Sequence, residues 1–370
     1  MEYYALAGTE GRLPQSLPMN AACLKRACPV ATNSPAPTGP NHPFAYQAPD
    51  WPTIQAAHAR IAPHIHRTPV LTSRSLDVIA GARLFFKCDN FQKTGSFKIR
   101  GASNAILSMS DAEVAHGIVT LSSGNHGAAV ACAAGWRGVP AYIVMPKNAP
   151  KVKCEAVAAY GGKITFCEPK VSARAEAAAR VQAETGATLV HPYDDDRIIA
   201  GQATAAKELL EEVPDLDAVF APVSGGGLLS GTCLGAQALQ PGIAVFGCEP
   251  ERADDAYRSL QTGTLQALES SATIADGLRA SLSPRTFAIL RERVRAILLV
   301  SEEEIIAATR LVWERMKIII EPSCAVALAP LLRLGTVAAL GLPQQADRVL
   351  PKLGVIFSGG NLDLTSLPFK

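Results

Sequence analysis

No charge of one sign dominates the 370-residue chain. Its 35 Lys and Arg stand against 33 Asp and Glu, a formal net charge of +2. The basic residues are scattered, so there is no electrostatic footprint for nucleic acid, and no nucleic-acid partner is expected. No apolar run approaches the roughly 18 residues that a membrane helix needs. Gly127–Trp136 and Ala296–Val300 are core-sized at best, and no membrane association is expected. The nine cysteines, at positions 23, 28, 88, 132, 154, 167, 233, 248 and 324, form no C-x-x-C pair. That removes the zinc-ribbon and thioredoxin-type readings. Most of them sit among Ala, Val and Phe, where Cys behaves as a small hydrophobe, which points to reduced thiols in a cytoplasmic protein.

What is present is an ordinary globular composition, 48% hydrophobic and 18% charged, on a chain long enough for two to three domains. Residues 1–46 differ from the rest. They include a Pro/Thr/Asn/Ser-rich stretch, Pro29–Pro43, and have no helical or strand period, so they read as a disordered extension. They do not read as a secretory signal, which needs a basic start and an uninterrupted apolar segment. From about Trp51 the pattern becomes periodic. Helices are expected over Ile54–Ile65, Ser96–Ser108, Gly127–Trp136, Lys151–Tyr160 and Ser172–Glu184. Strands are expected at Arg83–Cys88, Gly117–Leu121, Ala141–Met145, Lys163–Cys167, Thr188–His191, Ala218–Val223, Ala244–Cys248 and Val355–Phe357. Strand and helix alternating at this spacing define an α/β protein with parallel sheets covered on both faces. In such sheets ligands bind where strands end and helices begin.

Four strand-end segments carry the chemistry. In Lys93–Ala102 (KTGSFKIRGA), Lys98 lies beside Phe97 and Ile99 at a loop-to-helix transition. Apolar surroundings lower an amine's pKa and favour the neutral nucleophile that forms a Schiff base. Alone, the segment reads more readily as a surface lysine on a first helical turn. Ser122–Gly127 (SSGNHG) sets four polar side chains at the start of an Ala-rich helix, whose first N–H groups can hold a carboxylate. In Ser224–Gly231 (SGGGLLSG), three consecutive glycines between strand and helix make a nest of amides suited to phosphate. It is not a P-loop, since Thr232 stands where the Lys belongs, and Ser230 takes the third glycine of a Rossmann fingerprint. Ser358–Asn361 (SGGN) closes the set as a tight turn. A lysine to condense, a phosphate nest and polar groups for a ring together fit pyridoxal phosphate (PLP).

These segments, with TIADG (Thr273–Gly277), LVWERMK, IIIEPS and SGGNLDL, occur in the order of a known family. Over about Ile54 to Ser366 the chain resembles the serine racemase and serine/threonine dehydratase family of fold type II, tryptophan-synthase-β-like PLP enzymes. The resemblance implies two open parallel-sheet αβα domains with the cofactor in the cleft between them. The large PLP-binding domain would span 47–116 and 195–370, and the small one 117–194. Lys98 would hold the cofactor as a Schiff base and act as the base on one face of the substrate Cα. Phe97 would pack on the ring, Asn125 contact its hydroxyl and Ser358 pair with its nitrogen. Ser224, Gly225, Gly226, Gly227 and Leu228 would bind the phosphate through main-chain amides, with Ser224 standing where Gly is usual. Ser122, Asn125, His126 and Arg174 would bind the substrate carboxylate.

Ser123 bears most on the reaction. Racemisation needs a second proton donor opposite Lys98, and a serine here resembles the racemase branch, whereas threonine dehydratases of the family usually show alanine. The resemblance therefore implies interconversion of L- and D-serine, with α,β-elimination of serine or threonine to a 2-oxo acid and ammonia. The alternatives are a dedicated L-threonine/L-serine ammonia-lyase and a 3-hydroxyaspartate dehydratase. The same resemblance puts a divalent cation, Mg²⁺ or else Ca²⁺ or Mn²⁺, on Glu249, the Ala253 carbonyl and Asp255. A homodimer is implied as well. Animal relatives bind ATP near the subunit interface; Lys93, Tyr160, Lys317 and Asn361 match that pocket, but Ala128 and Tyr193 depart from it, so ATP activation is not carried over. His58, His64 and His66 read as structural residues on an exposed face.

Overall fold

The structure, a computed structural model, describes residues 46–122, 124–342 and 349–367. The expected extension falls, but for Tyr46, outside the described residues, as do Ser123, Cys23 and Cys28. In chain order, α1 (Trp51–Ile61), β1 (Val70–Leu71), α2 (Arg74–Ala80), β2 (Arg83–Cys88), α3 (Lys98–Ser108) and α4 (Asp111–Val114) come first. Next are β3 (Ile118–Leu121), α5 (Asn125–Arg137), β4 (Ala141–Pro146), α6 (Lys151–Ala159), β5 (Lys163–Cys167), α7 (Val171–Thr185) and β6 (Thr188–Leu189). Then follow α8 (Asp196–Glu212), β7 (Ala218–Pro222), α9 (Gly227–Leu239), β8 (Ala244–Pro250), α10 (Asp255–Thr262), α11 (Pro284–Arg293) and β9 (Ala296–Val300). The chain closes with α12 (Glu302–Met316), α13 (Pro322–Ala325), α14 (Thr336–Ala339) and β10 (Lys352–Phe357).

These strands build two sheets. One has six strands in the order β1-β2-β10-β7-β8-β9, the other four in the order β5-β4-β3-β6. Every pairing is parallel except β1 with β2. Alternate residues of the large sheet feed opposite cores, as a period of two requires. Phe86, Phe220, Phe246 and Phe357 pack with Ile305, Ala308 and Val312 of α12. Val219, Val245 and Ile297 pack with Leu209 of α8, Leu229 of α9 and Leu290 of α11. In the small sheet, Ile118, Ile143 and Met145 face α3 and α5, while Val119 and Val144 face Ala177 and Val181 of α7.

Helices α3, α8 and α9 meet backbone to backbone through glycines. A Cβ on Gly201 would lie 2.6 Å from the Arg100 carbonyl oxygen, one on Gly231 2.6 Å from the Ala203 nitrogen, and one on Gly235 2.5 Å from the Ala203 oxygen. No larger residue fits this seam without moving a helix. Under it lies a buried ionic cluster in which the Arg100 guanidinium donates to Asp89 at 2.6 and 2.9 Å and to Glu208 at 2.9 Å twice. Lys87 Nζ lies 2.7 Å from Glu208. Buried charges persist only when so paired, and the pairing ties α3 to β2 and α8.

The expected strands and helices recur with shifted ends. Ser96 is extended and bridges Gly359, so α3 begins at Lys98 rather than Ser96. Helix α1 starts at Trp51, where the Asp50 side chain accepts from the Thr53 N–H and Pro52 fills the first turn, and it ends at Ile61 just before Pro63. His58 and His64 are half-buried rather than exposed: His58 lies 3.4 Å from Glu208, and His64 stacks on Trp136. Helix α8 was not expected. Every residue from Ile198 to Leu210 is buried, the polar Gln202, Thr204, Lys207 and Glu208 among them.

Candidate functional site

Two loops zip together at the head of α3. The Phe97 N–H donates to the Ser358 carbonyl at 2.9 Å, Ser96 bridges Gly359, and the Gly360 N–H donates to the Gly95 carbonyl at 2.9 Å. Asn361 Nδ2 adds a bond to the Thr94 carbonyl at 2.7 Å. Gly95 is required, because its φ is +73° and a Cβ there would lie 2.2 Å from Asn361 Oδ1. KTGSFK and SGGN, over 260 residues apart in sequence, thus form one ledge that sets Ser358 beside Phe97 and Lys98.

Lys98 opens α3 and its Nζ donates to the Pro192 carbonyl at 2.9 Å, with the Phe97 ring centroid 5.1 Å away. Burial lowers its pKa to about 8, against the opposing pull of the Glu321 carboxylate. The amine is poised for nucleophilic attack near neutral pH. Pro192 begins the segment that carries the chain from β6 into α8. Its neighbour Tyr193 covers the glycine nest, since a Cβ on Gly225 would lie 2.4 Å from the Tyr193 ring and one on Gly227 2.9 Å from Tyr193 Cβ. Gly226, at φ +89°, caps α9 and admits no larger residue, because Thr286 Cβ would lie 2.7 Å from its Cβ. Ser224 Oγ accepts from the Ala280 N–H at 3.0 Å and donates to the Ala280 carbonyl at 3.1 Å, so its side chain is spent on the TIADG-linked loop. Leu228 is buried in the first turn of α9.

SSGNHG joins the same cleft from the small sheet. Asn125 Nδ2 donates to both oxygens of Glu321 at 2.9 and 3.1 Å, and its Oδ1 accepts from Asn361 Nδ2 at 3.0 Å. Ser122 Oγ accepts from the Gly124 N–H at 3.2 Å. Helix α5 opens at Asn125 with no side-chain cap, so its first amides face the cleft without intrahelical partners. His126 is buried, and burial together with the Lys98 charge pushes its pKa well below the usual range. Its ring is neutral. Nε2 reaches the Val190 carbonyl at 3.4 Å, while Nδ1 is buried with no hydrogen-bond partner. Thr94 Oγ1, Ser96 Oγ and Arg174 Nε are likewise buried without partners.

Glu321 is the residue that sequence reasoning missed. It stands in IIIEPS, and only its burial and its bonds to Asn125 mark it. Burial raises its carboxyl to about 7, with Lys153 lowering and Asp276 raising it. Tyr193 lies over the glycine nest, where the turn after His191 carries it. Arg174 makes no hydrogen bond to Ser122, Asn125 or His126 among the described residues; its charge acts on Tyr193. Lys93 Nζ lies over the Trp136 ring at 5.3 Å.

Glu249 and Asp255 are buried together at the end of β8 and the start of α10. Glu249 accepts from the Ala256 and Tyr257 N–H groups at 3.0 and 2.8 Å, and Asp255 accepts from the Leu282 N–H at 3.1 Å. Burial and the facing Asp255 push Glu249 well above the carboxylate range, and burial lifts Asp255 to about 6. Ala253, also buried, lies between them in sequence. Among the described residues no group of three or more His, Cys, Asp and Glu side chains is placed to hold a metal. This set offers two carboxylates and a carbonyl.

A condensing lysine, a glycine nest and an uncapped helix N-terminus in one cleft between two parallel sheets define a phosphate-cofactor enzyme of amino-acid chemistry. Comparison with known proteins agrees. The profile of the family described as pyridoxal-phosphate dependent enzyme matches residues 61–350, and the chain belongs to that family. It is 48% identical to a β-hydroxyaspartate dehydratase of Paracoccus denitrificans, over 87% of this chain and 99% of the relative. It is 48% identical to a serine racemase of Oryza sativa subsp. indica, over 86% and 92%. The solved structure of maize serine racemase superposes with a TM-score of 0.82 at 46% identity, covering 86% of this chain and 95% of that one. The expected fold type II architecture is therefore present. Among the described residues no helix is long and apolar enough to cross a membrane.

Proposed function

We propose that this protein interconverts L- and D-serine and also eliminates water from serine or threonine to give a 2-oxo acid and ammonia. The observation that carries the reading is the meeting of Lys98, the glycine nest and the open N-terminus of α5 in one cleft. The cleft residues fit PLP: a buried amine with lowered pKa, amides that no Cβ obstructs, and unpartnered polar atoms at Thr94 and Ser96. When bound, PLP supplies the electron sink that acidifies the substrate Cα–H. Residues 224–228 would hold its phosphate, Phe97 would pack on its ring and Ser358 would meet the ring nitrogen. Asn125 keeps one amide hydrogen for the ring hydroxyl while Glu321 takes the other.

Lys98 Nζ takes and returns the Cα proton on one face, and Ser123 does so on the other. The substrate carboxylate sits at the first amides of α5, beside Ser122, Asn125 and His126, with Arg174 closing over it. Because the His126 ring is neutral, it contributes its backbone amide rather than a cation. Reprotonation at Cα gives the other enantiomer, and loss of the β-hydroxyl gives the elimination product.

The domains of this reading are 47–116 with 195–370, and 117–194, supported by the division of the strands between two sheets. Glu249, the Ala253 carbonyl and Asp255 would hold Mg²⁺, Ca²⁺ or Mn²⁺. The support is chemical, since Glu249 and Asp255 are buried facing one another with the Asp255 charge raising Glu249, and hard oxygen ligands suit these ions. A cytoplasmic homodimer completes the reading. Seven described cysteines are free thiols, and Phe91 and Ile319, bridged by the bond from Asn90 to the Ile319 carbonyl, leave an apolar patch exposed for a second copy.

A second reading, 3-hydroxyaspartate dehydratase, is favoured by one observation beside the Paracoccus relative. Lys153 Nζ reaches the cleft at Gly124, paired with Asp276, where a substrate's second carboxylate would find it. The test is the protein with PLP, Mg²⁺ and L-serine, assayed together for D-serine and pyruvate. D-serine that disappears in Ser123→Ala while pyruvate persists establishes the two-base racemase. Pyruvate alone makes the protein a dehydratase, and oxaloacetate formed faster from 3-hydroxyaspartate makes that its substrate.

A further inference from the structure

The segment 191–196 touches both Lys98 and the glycine nest. Pro192 accepts from Lys98, Tyr193 covers Gly225 and Gly227, and Asp195 caps α8 by accepting from the Arg197 N–H at 2.7 Å. His191 Nδ1 accepts from the Asp194 N–H at 2.9 Å and from the Tyr193 N–H at 3.4 Å, folding the segment into a turn. The same segment is one of the chain's two crossings between the small and large sheets. Three consecutive aspartates, Asp194–Asp196, make it a concentration of negative charge beside a nest built for phosphate.

Two side chains from distant parts of the sequence offset that charge. Arg285, in the first turn of α11, lies 3.2 Å from Asp194 and 3.0 Å from Asp196. Tyr46, at the start of the described chain, donates its hydroxyl to Asp196, and its ring lies 5.6 Å under the Arg285 guanidinium. From Asp194 the contacts run inward. Ser283 Oγ donates to Asp194 at 2.9 Å, Ser283 and Thr286 form a reciprocal cap on α11, and Thr286 Oγ1 donates to the Gly225 carbonyl at 2.9 Å. Thr286 is also what Gly226 packs against.

We propose that Tyr46 is a positioning residue for the cofactor. With Arg285 it clasps the 191–196 crossing, and through Asp194, Ser283 and Thr286 it fixes the Gly225 backbone and the Tyr193 ring over it. The segment just before α1 thereby braces the phosphate site from outside, touching neither the glycine nest nor a reacting atom. The inference rests on the PLP assignment.

The test compares wild type, Tyr46→Ala and Tyr46→Phe as full-length apoproteins. Each is titrated with PLP by the absorbance of the lysine-bound cofactor, and hydrogen–deuterium exchange is read across 190–197 without cofactor. Tyr46→Ala is expected to weaken PLP binding about five-fold and to speed exchange at Tyr193 and Asp194, with kcat at saturating PLP within about two-fold. Tyr46→Phe, which keeps the ring under Arg285 but loses the bond to Asp196, is expected to lie between. Unchanged PLP affinity and exchange in Tyr46→Ala overturn the proposal, as does a lowered melting temperature with unchanged affinity. Wild-type protein that takes up no PLP at all would instead overturn the cofactor assignment.

Discussion

Asn125 Nδ2 donates to both oxygens of Glu321, at 2.9 and 3.1 Å, across the boundary between the two sheets. Asn361 fills its carbonyl side, so the amide cannot flip without losing both bonds. The plane of the amide thus has a fixed direction, which is what recognition of a single ring substituent demands.

The Lys98 amine, lowered to about 8 chiefly by burial, sets how fast the apoprotein captures an aldehyde. Capture of PLP, followed by stopped-flow absorbance, should rise about ten-fold per pH unit below 8 and level off above it. In Lys98→Ala the absorbance of the lysine-bound cofactor should vanish and turnover fall by at least about 10³-fold. Retention of either would remove Lys98 from its role.

Glu321 couples to that titration, because its charge raises the Lys98 pKa. In Glu321→Gln, which still accepts from Asn125, the inflection for PLP capture should move to lower pH. Stability should respond as well. A carboxyl raised from 4.5 to about 7 in the fold binds its proton more tightly there than in the unfolded chain. Wild-type apoprotein should therefore lose stability as pH rises from about 4.5 through 7, and Glu321→Gln should recover on the order of 1–3 kcal/mol at pH 8 but nothing at pH 4. Denaturant midpoints at both pH values check this; parallel curves for the two proteins would refute it.

Removal of divalent ions should destabilise the loop between β8 and α10. With Mg²⁺ at about 100 times its dissociation constant, the gain of about 2.7 kcal/mol should raise the melting temperature by about 3–4 °C over EDTA-treated protein. Glu249→Gln should abolish the response. Identical melting with and without Mg²⁺, Ca²⁺ and Mn²⁺ would show that Glu249 and Asp255 hold no cation.

The alternating sheets were legible because short β-branched and apolar runs alternate with helical stretches at the spacing of strand–helix units, and the cleft was legible because its loops carry small residues where ligands approach. Helix α8 was not, because its polar Gln202, Thr204, Lys207 and Glu208 are buried with its apolar residues, so polarity along it does not mark a solvent face. Strand β9 was visible only as an apolar run, too short for periodicity to assign. Lys98 and the glycine nest stood out through residue types that have few other uses together. Glu321 did not, since one acid in IIIEPS looks like any surface acid until Gly359 and Asn125 close over it. Tyr46 was hidden by its place beside a stretch without period, and its partners lie about 150 and 240 residues away.

The glycine seam among α3, α8 and α9 has a mechanical consequence. Where main chains touch directly, no layer of pliable side chains remains to absorb sliding, and the three helices behave as one block fixed to the six-stranded sheet. Lys98 sits at the corner of that block. Helix α5, by contrast, meets α3 through Ala and Ile side chains that can repack. A closing of the cleft is therefore expected to leave Lys98 at rest and to swing the first turn of α5 towards it.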